Sequence, residues 1–189
     1  MPAGLTNLTL LDLHQNGLTN LALPAGLVNL TILNLDDNVL TDLTLPGGLI
    51  RLTELDLYDN QLTNLTLPAG LTSLTFLYLN DTPLKILVLP QPLAATGLAN
   101  TVASLIAKGV SVYTYPLAVT LVSPQQTPAG TFGFTVAGPP AVYTILSSTD
   151  LATWNQLLTL TNALGAAFFT DAQVTNSSQK FYRAVVKLP

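Results

Sequence analysis

The side chains in this chain that could do chemistry are few, and their spacing groups them. One His, ten Asp and Glu, six Lys and Arg and no Cys are spread over 189 residues. His14 has Asp12 two positions before it and Asp36 further on, the partners that an acid–base site would use. Such a site also needs a nucleophile or a substrate pocket, and no Ser lies in this stretch. His14 is therefore read as a solvated surface histidine, and no catalytic residue is assigned. Asp36, Asp37, Asp59 and Asp81 would offer hard oxygen ligands to Ca²⁺ if the chain stacked them. Neither the EF-hand order nor a Gly-Gly-x-Gly-x-Asp repeat is present, so no metal is assigned.

Composition excludes further classes. Without Cys there is no disulfide, thiolate metal site or thiol nucleophile, and a lone His rules out a multi-His centre. No Gly-Lys-Ser/Thr phosphate cradle occurs, and no cofactor is expected. A formal net charge of −4 argues against a grip on nucleic acid, which needs clustered Lys and Arg. No apolar run reaches the roughly 20 residues of a membrane-spanning helix. Apolar residues are 49% and charged residues 8%, which describes a chain that buries a core.

The carboxylates are positioned by a repeat. Pro2, Pro24, Pro46, Pro68 and Pro90 fall 22 residues apart, and Gly4, Gly26, Gly48 and Gly70 keep the same phase. Four Leu series start at Leu8, Leu11, Leu13 and Leu18 and recur to Leu74, Leu77, Leu79 and Leu84. The pattern Leu-x-x-Leu-x-Leu-x-x-Asn-x-Leu holds three times, and the fourth copy has Thr82 at the Asn position. Alternation in Leu11-Asp12-Leu13 and its copies predicts one short strand per coil, stacked into a parallel sheet with leucines inward. Asn16, Asn38 and Asn60 follow those strands and take a structural role, their amides bonding backbone groups left unpaired by the turn. A second alternating run, Leu40–Leu45 and Leu62–Leu67, predicts strands on the far side, and Leu-Pro-x-Gly-Leu closes each coil, Gly permitting the turn.

Stacking would place the outward side chains in columns: Leu10, Ile32, Glu54 and Phe76; Asp12, Asn34, Asp56 and Tyr78; His14, Asp36, Tyr58 and Asn80; Gln15, Asp37, Asp59 and Asp81. Seven of the ten acids lie in them. Carboxylates mixed with aromatics make a recognition surface for a basic or polar protein partner, and this is the binding site expected. The plain alternative is that outward sheet positions are polar for solubility. The matches to the glycosylation sequon include Asn7-Leu8-Thr9 and Asn29-Leu30-Thr31, by-products of the repeat, and Asn176-Ser177-Ser178 in the tail.

The fifth coil departs from the rule with Pro90-Gln91-Pro92. Leu98, Val102, Leu105 and Ile106 then recur at helical spacing before Lys108-Gly109, predicting one amphipathic helix with Gly109 as C-cap. Val110–Tyr115 resumes strand alternation. After Pro116 the period vanishes, and strands are predicted at 118–122, 130–136, 142–147, 157–161, 166–170 and 180–186, arranged as a small antiparallel β-sandwich with Trp154 anchoring its core. The expected domains are 1–116 and 117–189. No cap precedes the first coil, so its apolar underside is expected to be uncovered. This predicts a truncated start and self-association through that end.

The repeat resembles the leucine-rich repeat family, which implies a solenoid with a parallel β-sheet, a convex side of loops and short strands, and one C-terminal helix here. In the tail, Tyr143–Trp154, then Phe169-Thr170-Asp171, then Lys180-Phe181-Tyr182-Arg183-Ala184 resemble the C-terminal β-domains of large exported bacterial proteins, especially from Verrucomicrobia. That resemblance implies an extracellular or cell-surface protein without catalytic residues, although no signal peptide is present. The function expected is a non-catalytic interaction module binding a protein on the concave face of the repeats. The alternatives are a carbohydrate or cell-wall adhesin and a structural spacer.

Overall fold

The 22-residue period becomes a register in space. The computed structural model describes residues 5–126, 130–172 and 179–187. Pro2 and Gly4 of the first repeat and the sequon Asn176-Ser177-Ser178 lie outside them. The chain divides into two units, Met1–Thr114 and Tyr115–Pro189, two residues before the boundary expected at Pro116.

In the first unit, strands β1 (Leu10–Asp12), β2 (Ile32–Asn34), β3 (Glu54–Asp56) and β5 (Phe76–Tyr78) form a parallel sheet in that order. Each residue pairs with the one a repeat later, Leu11 with Leu33, Leu33 with Leu55 and Leu55 with Leu77. Opposite lies a second sheet of β4 (Asn64–Thr66), β6 (Ile86–Pro90) and β7 (Ser111–Tyr115). On that side Leu40–Leu45 forms no strand and contributes a single bridge, Ala22 to Thr44. Between the sheets the leucines of the inner coils are buried, Leu30, Leu33, Leu35 and Leu40 completely. Each contributes about 2 kcal/mol by leaving water.

The loop-closing glycines have a different reason from the one expected. Gly48 and Gly70 do not have the positive φ that glycine alone favours. A Cβ on Gly48 would stand 2.7 Å from the Ala25 carbonyl oxygen, and one on Gly70 would overlap the Gly47 carbonyl. Glycine is required because one coil's backbone touches the next, a demand on packing distance rather than on turn conformation.

Two helices, not one, end the array: α1 (Gln91–Ala95) and α2 (Ala99–Ala107). Pro92 sits in the first turn of α1, where its missing N–H breaks no helical bond. Gly109 takes φ +86 after α2, and the Val110 N–H donates back to the Leu105 carbonyl. Leu98 and Leu105 are buried, but Ile106, expected on the same face, is 56% exposed.

The second unit holds two antiparallel sheets of three strands, with orders β12-β9-β8 and β11-β10-β13. The strands are β8 (Thr120–Gln126), β9 (Phe132–Ala137), β10 (Ala141–Ser148), β11 (Asn155–Asn162), β12 (Ala166–Asp171) and β13 (Phe181–Val186). β8 runs past its expected end because the register shifts between Val122 and Gln125, with Ser123 at φ 52. That bulge on an edge strand accommodates Pro124, which has no N–H to give. Phe134, Val136 and Phe169 from one sheet and Tyr143 and Ile145 from the other form the core.

Trp154 does not anchor that core. It is half-buried in the loop before β11, its indole N–H donates to the Leu151 carbonyl, and the Arg183 guanidinium lies 4.6 Å from its ring centre. Held there, it leaves the core to Phe134, Phe169 and Tyr182, whose rings meet one another.

Candidate interaction surface

Parallel register makes columns unavoidable. Leu10, Ile32, Glu54 and Phe76 stand in one row of paired positions, and Asp12, Asn34, Asp56 and Tyr78 in the next. The strands thus bring Asp12, Asn34, Glu54, Asp56, Phe76 and Tyr78 onto one face. The segments that follow add His14, Asp36 and Asp37, then Tyr58 and Asp59, then Asn80 and Asp81. The coil-to-coil bonds continue there: Gln15 N–H donates to Asp36 O, Asp37 N–H to Tyr58 O and Asp59 N–H to Asn80 O.

Some of these side chains also have local work. Asp12, Asn34 and Asp56 each accept the N–H two residues on, from His14, Asp36 and Tyr58 respectively, at 3.2, 3.1 and 2.9 Å. An Asx turn thus closes β1, β2 and β3, a requirement that the spacing did not reveal. Gln15, Asp37, Asp59 and Asp81 all have positive φ, between 45 and 56. Asp is among the few side chains that tolerate that conformation, so the acid column is partly a backbone choice.

The electrostatics nevertheless distinguish individual groups. His14 Nδ1 lies 2.7 Å from Asp12 Oδ1. That hydrogen bond raises the His14 pKa above its ordinary value and lowers that of Asp12. Asp56 is raised, first by burial and then by the like charges of Asp36 and Asp37. Asp36 Oδ1 is buried with no hydrogen-bond partner among the described residues. The Tyr58 hydroxyl is raised by its bond to the Asp81 carboxylate. Tyr58 and Tyr78 are each 39% exposed and Phe76 is 54% exposed. The rings of Phe76 and Tyr78 are nearly parallel, at 12° with centres 6.5 Å apart.

Asn38 and Asn60 carry the structural role expected. The Asn60 amide donates to Leu35, Leu57 and Tyr58 carbonyls, while its oxygen accepts the Leu40 N–H. Asn38 repeats the scheme with Leu13, Leu35 and Asp36 carbonyls and the Asn16 and Leu18 N–H groups. Asn16 does not share it: exposed in the first coil, its amide reaches the His14 carbonyl. Thr82 bonds within its own coil, to the Leu79 carbonyl.

Beside β5 the face ends in a groove of about 320 Å³ against α2, which adds Asn100, Thr101, Ser104 and Lys108 to Phe76, Tyr78 and Asn80. The Lys108 ammonium donates to Asn80 Oδ1 at 3.1 Å. These helix residues were missed, although Asn100, Ser104 and Lys108 recur at the four-residue spacing of one helix face. No cluster of three or more acids or His residues able to hold a metal is found among the described residues.

Residues 50–92 match the family model for leucine-rich repeats in two copies. No curated protein and no solved structure matches the chain.

Proposed function

We propose that this leucine-rich repeat protein is a non-catalytic interaction module whose acidic and aromatic columns bind a basic or polar protein segment. Repeats of this family mediate protein–protein interaction, and the columns supply the surface. The observation that carries the reading is the strand register, which puts Phe76 and Tyr78 in rows with Asp12, Glu54 and Asp56, and the coil-to-coil bonds that continue it past the strands to Asp36, Asp37, Tyr58 and Asp59. Asp56 is crowded by the like charges of Asp36 and Asp37, and an approaching Lys or Arg would relieve it. On this reading the coils form a solenoid with the columns on its concave side, and the second unit is a β-sandwich that serves as spacer. The tail motif's resemblance to exported bacterial proteins supports a cell-surface setting.

The test is titration of an Arg- and Lys-rich peptide into the ¹⁵N-labelled chain. Amides between Asp12 and Asp81 should shift, binding should weaken as salt rises, and Asp56→Asn or Tyr58→Ala should reduce affinity at least tenfold. Unchanged affinity in both variants defeats the site.

A second reading concerns the first coil. Leu5, Leu8, Leu11, Leu13, Leu18, Leu21 and Leu23 are only partly buried, whereas Leu27, Leu30, Leu33, Leu35 and Leu40 one coil later are fully buried. β1 is the edge of its sheet. We propose that a second copy covers this end. An antiparallel pair of β1 strands about Leu11 is two-fold symmetric and joins the unpaired backbone groups of the two edges.

A further inference from the structure

The columns change character at their last row. Glu54 is followed by Phe76, Asp56 by Tyr78 and Tyr58 by Asn80, so these three columns lose their acids where β5 meets α2, and Asp81, the carboxylate that ends the fourth, lies outside the groove. No carboxylate lines the groove there. Its charged group is Lys108, bonded to Asn80. A cationic segment gains nothing against that ammonium. A wholly apolar ligand would strand the amide of Asn100 and the hydroxyl of Ser104 without partners. What fits is a ligand with a flat C–H face and a rim of hydroxyl groups. The two near-parallel exposed rings offer negative faces to polarised C–H groups, and the surrounding amides, hydroxyl and ammonium can donate and accept at the rim. The groove is at the lower end of small-molecule sites, which begin at about 300 Å³, and suits a short saccharide.

We infer that this groove is a binding subsite for a neutral saccharide, with Phe76 and Tyr78 as the stacking platform and Asn80, Asn100, Ser104 and Lys108 as the polar rim. It shares Phe76, Tyr78 and Asn80 with the columns but none of their carboxylates, and it does not depend on the peptide reading.

The experiment uses the full ¹⁵N-labelled chain with a panel of neutral disaccharides of the common hexoses and N-acetylhexosamines. An Arg- and Lys-rich peptide is titrated in parallel. At least one disaccharide should shift the amides of residues 75–80 and 100–108, with little change when salt is raised. Phe76→Ala should weaken that binding at least tenfold, and Ser104→Trp, which fills the groove from the helix side, should abolish it. Both positions are exposed, and an unchanged amide spectrum elsewhere shows that the fold is kept. If no disaccharide shifts these amides, or if the shifts survive both substitutions, the inference is overturned. Peptide binding without saccharide binding would overturn it and leave the columns standing; the reverse result would uphold it and defeat the columns.

Discussion

The side-chain amide of Asn60 donates to the carbonyl of Leu35, 25 residues earlier, at 2.9 Å, while its oxygen accepts the N–H of Leu40 at 3.0 Å. One buried residue thus satisfies both a donor and an acceptor of the coil before it. Replacing it leaves several backbone groups without partners in a site closed to water.

Asn60→Ala should therefore destabilise the repeat unit by roughly 3 kcal/mol, since each stranded buried group costs about 1–3 kcal/mol. Asn16→Ala removes an exposed bond and should cost under about 1 kcal/mol. Urea unfolding followed by circular dichroism would compare the two, and equal losses would show that the buried bonds carry no special weight.

Gly70→Ala should cost about 1–3 kcal/mol, the range for forcing extra volume into a packed site. Its Cβ would overlap the Gly47 carbonyl, whereas at Gly26 the nearest atom is a Thr6 methyl at 3.8 Å. Gly26→Ala should be nearly neutral. The same unfolding measurement separates the two, and a neutral Gly70→Ala would mean that the coils can part at no cost.

His14 should titrate above its ordinary value of 6.5, because Asp12 stabilises its charged form. The pair's contribution is present below 6.5, where the unfolded His is also protonated, and is lost as pH rises through the raised folded pKa. Asp12 limits it at the acid end: its folded pKa lies below 3.8, and the contribution disappears as pH falls through that lowered value. As the chain has one His, its ring protons give the titration directly by NMR. Asp12→Asn should move the midpoint back towards 6.5.

Asp150 is held at about 2, first by the Thr153 N–H, then by the Ser148 hydroxyl and the Ala152 N–H. Its contribution to the second unit is present above 3.8 and lost as pH falls towards 2. Thermal unfolding of the chain between pH 5 and pH 2 should show Asp150→Ala less stable at the upper end and equal to the parent at the lower. A constant gap would mean that the carboxylate's charge plays no part.

Light scattering should find the chain self-associating through its first coil. Leu11→Asp, placed at the centre of the exposed edge, should yield a monomer with the inner coils intact. A monomeric parent chain would show that the half-covered leucines are tolerated in water.

Much of this was legible because the repeat states its rule several times. The phase of Leu11, Leu33, Leu55 and Leu77 already contained the register, and with it the columns. The role of Gly70 was not legible, since one residue type serves both turn geometry and close approach, and only the distance to Gly47 decides. Nor were the Asx turns of Asp12, Asn34 and Asp56, which disguise local need as surface charge. Trp154 misled by its size: a large ring is a sound guess for a core, but Phe134, Phe169 and Tyr182 met on the paired strands instead. The groove escaped because its two walls belong to different kinds of element, one strand and one helix.

The bridge made by Asn38 and Asn60 reaches back by one coil and no further, and Thr82 does not extend it. Length is therefore a genetic variable here. An in-frame duplication of one repeat among the Asn-bearing coils would inherit every bond it needs from its neighbours. It would also lengthen the footprint by one row while leaving the aromatic end untouched. A lineage could tune its reach by copy number alone, with no new side chain having to be invented.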